Sequence, residues 1–197
     1  MAKPTKYNSV TVVLHWVLGF MVPMMLFMGS VLLVNIPNDD PGKIAALKGH
    51  ITFGLVVMGL TIFRMVWGRG TKRPDHLTTG IKALDTFGQF AHYGLNVLVL
   101  LCAFTGISLL VQAGLHESVF LGDGKLPRDF WAFRPREGHA LFTKLLIALL
   151  AAHLMGAVYH QFILKDSVFK RIWFGKGEER APLPAEPVDD ETETNKD

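Results

Sequence analysis

The chain is poor in cysteine, the residue on which many redox and metal sites are built. It has one cysteine, Cys102, so no disulfide can close within it, and it has no Cys-x-x-Cys pair for a metal or thiol couple. The Cys-x-x-Cys-His signature of covalent haem attachment is missing for the same reason, so any haem must be held without a bond to sulfur. Charge is scarce where it would be costly: the stretches 10–36 and 87–115 contain no Asp, Glu, Lys or Arg. The net charge of +3 is small, and nothing in its distribution suggests nucleic-acid binding. There is no internal repeat.

Hydrophobic residues, by contrast, make up 50% of the chain, and they fall into four long blocks, at about 10–36, 45–67, 87–115 and 139–164. Each exceeds the ~20 residues a helix needs to cross ~30 Å of hydrocarbon. Only a helix satisfies its own backbone within such a block. The expected fold is therefore an all-α membrane protein, a bundle of four transmembrane helices. The first block is far longer than the ~7–15-residue core of a cleaved signal, so it reads as a retained span. Pro23 lies inside it and is expected to kink the helix.

Lysine and arginine set the expected orientation. Arg69, Lys72, Arg73 and Lys82 lie between spans two and three, Lys165, Lys170, Arg171 and Lys176 follow span four, and Lys3 and Lys6 precede span one. Both termini are thus expected on the cytoplasmic side of the membrane. Residues 1–177 form the membrane domain. Residues 178–197, which include APLPAEPVDDETETNKD from Ala181, read as a disordered acidic tail.

Histidines at membrane depth are the candidate functional residues, because ionisable groups there are rare and functional by default. His139 and His153 on span four are 14 residues apart, which on a helix is a ~40° difference in phase and ~21 Å in height. One face of span four therefore offers a histidine near each membrane surface. His50 on span two lies at the outer level and can face His139; His15 on span one lies at the inner level and can face His153. Each pair would supply two imidazoles from different helices, as a bis-histidine haem requires. His160, seven residues after His153, competes for the inner position, and helix geometry leaves that choice open. Gly19 and Gly54, each four residues after a candidate ligand, would let a porphyrin approach the backbone. Arg64, 14 residues after His50, is a candidate partner for an inner haem propionate. His92, at the inner level, is a candidate contact for a propionate or quinone, or a structural histidine.

Four stretches together resemble the bacterial di-haem cytochrome b-561 family, which includes superoxide oxidase: KYNSVTVVLHW, GHITFGLVVMGLTIFRMVWG, EGHALFTKLLIALLAAHLMGAVYHQFILKD and, less closely, AHYGLNVLVLLCAFTGI. The resemblance runs from about residue 7 to 174. It departs from the family pattern at Ala103-Phe104 before Thr105-Gly106, at His160-Gln161 and at Lys144. It implies two b haems, with His15 and His153 ligating the inner iron and His50 and His139 the outer, and so favours His153 over His160. It also implies single-electron transfer across the membrane to quinone. The donor would be superoxide or a periplasmic redox protein; in the first case the protein would be a superoxide:quinone oxidoreductase. Lys43, Lys48, Lys125, Arg128, Arg134 and Arg136 on the outer side could steer an anion inward. The alternative is a cytochrome b anchor or carrier subunit of a larger redox complex.

Overall fold

A computed structural model describes residues 4–74, 79–122, 125–166 and 168–175. The segment 178–197, expected to be a disordered tail, lies outside them, as do Lys3, His76 and Lys176. Four long helices carry the fold: α1 Ser9–Phe27, α2 Pro41–Trp67, α3 Lys82–Gln112 and α4 Arg134–Val158, with a short α5 at Val168–Arg171. α1 continues through a π-helical turn at Met28–Leu33, and α4 through another at Tyr159–Ile163. All four long helices are long and apolar enough to cross a membrane, so the chain is an all-α, four-span membrane protein.

Local chemistry explains where the helices begin. The Asn8 side chain accepts the Thr11 N–H at 2.9 Å and caps α1, and Asp40 accepts the Gly42 N–H at 2.7 Å with Pro41 at the first turn of α2. α1 remains helical through Pro23, and its π turn begins five residues later. The first span is helical through Asn35, one residue short of the expected Ile36. There the buried Lys43 ammonium donates to the carbonyls of Leu33 and Ile36 and satisfies helix-end acceptors. Lys43 therefore leaves the proposed outer cationic surface: it is a buried cap, 6% exposed.

The outside of the bundle is apolar. Phe20, Phe104, Met155 and Phe162 are all about two-thirds exposed, which would be untenable in water and is ordinary against lipid. Between the helices, Leu18, Val57, Val99 and Leu146, one from each, form a buried layer at mid-height. α1 and α3 run one way, and α2 and α4 the other. Tyr7 N–H bonds to Arg171 O at 3.2 Å and the Trp16 indole to Ile172 O at 2.9 Å, so the start of α1 and the segment after α4 share one end, hereafter the near end. At the far end, Asn38 donates to the carbonyls of Pro127 and Arg128, both at 3.2 Å, and ties the first loop to the third.

Candidate functional site: two histidine pairs

The mid-height layer separates two polar levels. At the far level His50 of α2 faces His139 of α4, with ring centres 6.2 Å apart; at the near level His15 of α1 faces His153 of α4 at 6.5 Å. The two pairs expected from helix phase and depth are thus brought together. The reason is the 14-residue step, which returns each helix to nearly the same face. The step recurs on every span: His15 and Gly29, His50 and Arg64, His92 and Gly106, His139 and His153. The far level therefore carries Gly29, His50, Gly106 and His139, and the near level His15, Arg64, His92 and His153.

The far glycines, which the sequence reading passed over, bear directly on the rings. A Cβ on Gly29 would lie 3.0 Å from His50 Cε1, and one on Gly106 would lie 3.4 Å from His139 Cε1. Their signal was available in the same spacing, but only the packing shows that they face the imidazoles. Gly54 would meet only the end of Met25, at 3.6 Å, and Gly19 has open space around it. Neither crowds a histidine, and both leave room beside one.

The donor pattern at the far level is specific. The His139 Nδ1–H donates to the Cys102 carbonyl at 2.9 Å, with Thr105 Oγ1 3.3 Å away. A backbone carbonyl can only accept, so the proton sits on Nδ1 and the Nε2 lone pair is left for a ligand bond. The buried His50 Nδ1 has no partner among the described residues. The pair opens on a cavity of about 740 Å³, lined also by Gly29, Gly54, Gly106, Lys43 and Arg136. That lies within the ~300–1,000 Å³ range of pockets for small organic groups.

At the near level the Arg64 guanidinium donates to Asn96 Oδ1 and lies within electrostatic reach of His15 and His153. His92 of α3 sits edge to face on His153 with ring centres 4.8 Å apart. His160, the competitor for the near position, donates from Nδ1 to Asp166 Oδ2 at 2.7 Å. Trp16 stands edge-on both to His15 at 5.7 Å and to Trp173 at 5.9 Å.

The ring separations discriminate between chemistries. An imidazole nitrogen lies about 2 Å from a first-row metal and about 1 Å from its ring centre, so two rings on opposite sides of one iron have centres about 6 Å apart. Both pairs meet that spacing. The 4.8 Å of His92 and His153 is too short for it. Among the described residues no three His, Cys, Asp or Glu side chains gather around one point, so these are paired donors and not a cage that holds an ion by protein alone.

The fold and its paired intramembrane histidines define a multi-pass membrane protein with sites suited to a planar metal cofactor. The family model of prokaryotic cytochrome b561 matches residues 6–175, and the chain belongs to that family. It is accordingly a b-type haem electron-transfer protein of a bacterial membrane. Searches of curated proteins and of solved structures gave no match.

Proposed function

We propose that the protein binds two b haems, one at each histidine pair, and moves single electrons across the inner membrane between a donor on the outer face and quinone. The observation that carries this reading is the pair of separations, 6.2 and 6.5 Å, each the span of two imidazoles across one iron. His50 and His139 would hold the far haem and His15 and His153 the near one. When bound, each haem supplies a one-electron iron couple.

The chain's own residues set the conditions for that couple. The Cys102 carbonyl fixes the tautomer and plane of His139. Arg64 brings a positive charge to the near site, where it can meet a propionate. Gly29 and Gly106 keep the far rings unhindered, with Gly54 beside them on the cavity wall. The apolar layer of Leu18, Val57, Val99 and Leu146 keeps water from the space between the sites.

The basic loops support a topology with both termini in the cytoplasm, in which the near site would face inward and the far site outward. Superoxide is one outer donor that fits: each superoxide gives one electron and leaves as dioxygen, and two electrons with two protons convert quinone to quinol. Arg128 and Arg134 are exposed at the far end, and Arg136 lies over the Trp131 ring at 4.5 Å, beside the cavity. The same cations would serve the second reading, a carrier subunit that docks an acidic redox protein. Purification in a stoichiometric complex, without superoxide activity alone, would favour that one.

The test is a dithionite-reduced minus oxidised spectrum with a pyridine haemochrome count. The expected result is a b-type α-band and about two haems per chain. One haem per folded chain would remove the two-site reading.

A further inference from the structure

At the far level α3 offers His139 a backbone carbonyl and, in Gly106, empty space. At the near level the same helix face offers a third imidazole. His92 stands 14 residues before Gly106 and meets His153 at 4.8 Å with the ring planes at 77°. A direct N–H···N bond of about 3 Å, with about 1 Å from each nitrogen to its ring centre, gives a separation of about 5 Å. The observed value matches direct contact between the two rings and excludes an iron between them. His15 and His92 are thereby sorted into different roles toward the same partner.

The approach is built into the backbone. Two residues past His92, Gly94 is buried, and a Cβ there would lie 2.9 Å from Leu149 Cδ2, four residues before His153. α3 and α4 share the most extensive helix contact in the bundle. A close α3–α4 crossing beside a ligand ring is a place where a side chain can fix that ring's plane.

From this geometry we propose that His92 is a positioning residue of the near site, bonded to the His153 imidazole from α3 and holding its plane and tautomer as the Cys102 carbonyl holds His139. It does not touch the iron. Its effect passes through His153: an outer partner that orients a ligating histidine also tunes the metal it binds, and losing one typically weakens binding about 10–100-fold. The two α4 ligands then differ in kind, one tied to a main-chain carbonyl and the other to a side chain that a single substitution can change.

The proposal rests on the two-haem reading, and the haem count of the wild-type protein tests that reading by itself. The His92 test compares His92→Ala, His92→Phe and His92→Asn in the full chain. Potentiometric titration and low-temperature electron paramagnetic resonance of both ferric haems are read in each, and the far-site signals are identified as those that His50→Ala removes. The expected result is that His92→Ala and His92→Phe move the near-site midpoint potential and g-values and weaken near-site haem retention tenfold or more. The far-site signals stay in place, and His92→Asn, which keeps a hydrogen-bonding group, stays nearer to wild type. Loss of the near-site haem in His92→Ala with retention in His92→Asn supports the same conclusion. Wild-type near-site signals in His92→Phe would reduce the residue to a space filler and overturn the proposal, as would unchanged signals in His92→Ala.

Discussion

At the far level α1 and α3 meet two histidines with glycines, whereas at the near level the same two helices present His15 and His92. Both levels follow one 14-residue rule and sit on the same four helices, yet α1 and α3 set glycines beside the far histidines and side chains at the near ones. The far site has a cavity of about 740 Å³, with Lys43 and Arg136 among its lining residues. The near site has a guanidinium, three imidazoles and the Trp16–Trp173 contact. Helix phase decides which positions share a level, and the residue at each position decides whether that level provides room or contact. Under the proposed function a donor in solution needs an approach, and the cavity beside His50 and His139 would provide one.

The largest expected effects come from the proposed ligand pairs, because removing either imidazole would take away one of the two side chains that would hold that haem. His50→Ala or His139→Ala should halve the haem count and spare the near site, and His15→Ala or His153→Ala should do the converse. A pyridine haemochrome count on each variant checks this, and loss of both haems from every variant would mean that the two levels are not separable. His160→Ala should leave the count unchanged, since that ring is engaged with Asp166.

The glycine cradle comes next. Gly29→Val would drive a side chain into His50, from whose Cε1 even a Cβ stands only 3.0 Å away, at a cost of about 1–3 kcal/mol. Gly19→Ala, with open space around it, should be close to neutral. Thermal stability and far-site haem retention distinguish the two, and equal behaviour would dissolve the contrast.

A smaller effect is expected from charge. Arg64→Gln removes a cation near His15 and His153 and should lower the near-site midpoint potential, since reduction adds negative charge that Arg64 stabilises. An interaction of about 1–2 kcal/mol corresponds to a shift on the order of 50 mV. The far-site potential should hold, and a far shift as large as the near one would show that Arg64 does not belong to one level.

The smallest effect concerns the outer cations. If superoxide is the donor, its reduction rate should fall as ionic strength rises, and Arg128→Ser with Arg134→Ser should lower it about two- to tenfold at low salt. A rate indifferent to salt would remove steering and leave those arginines to lipid or loop contacts.

Much of the fold was legible before any coordinates. Four uninterrupted apolar blocks admit only spanning helices, because hydrocarbon offers backbone groups no other partner. The pairings of His50 with His139 and His15 with His153 were legible too, because helical period and depth are properties of the sequence. The site was less so. Lys43 looked like a surface cation and is a buried cap on the carbonyls of Leu33 and Ile36, since nothing in the sequence says where a long side chain bends. His160 and His153 were equivalent by phase until Asp166 appeared beside one of them.

The sequence by itself determined the number of spans, their apolar faces and the 14-residue recurrence that stacks two levels on each helix, because these depend on local covalent geometry and on the cost of polar groups in lipid. Only the tertiary structure decided that Gly29 and Gly106 face the far rings, that Arg64 turns to Asn96, and that His92 touches His153 where His15 stands off. Those facts are distances between helices, set by how side chains pack across an interface, and no periodicity within a single helix contains them.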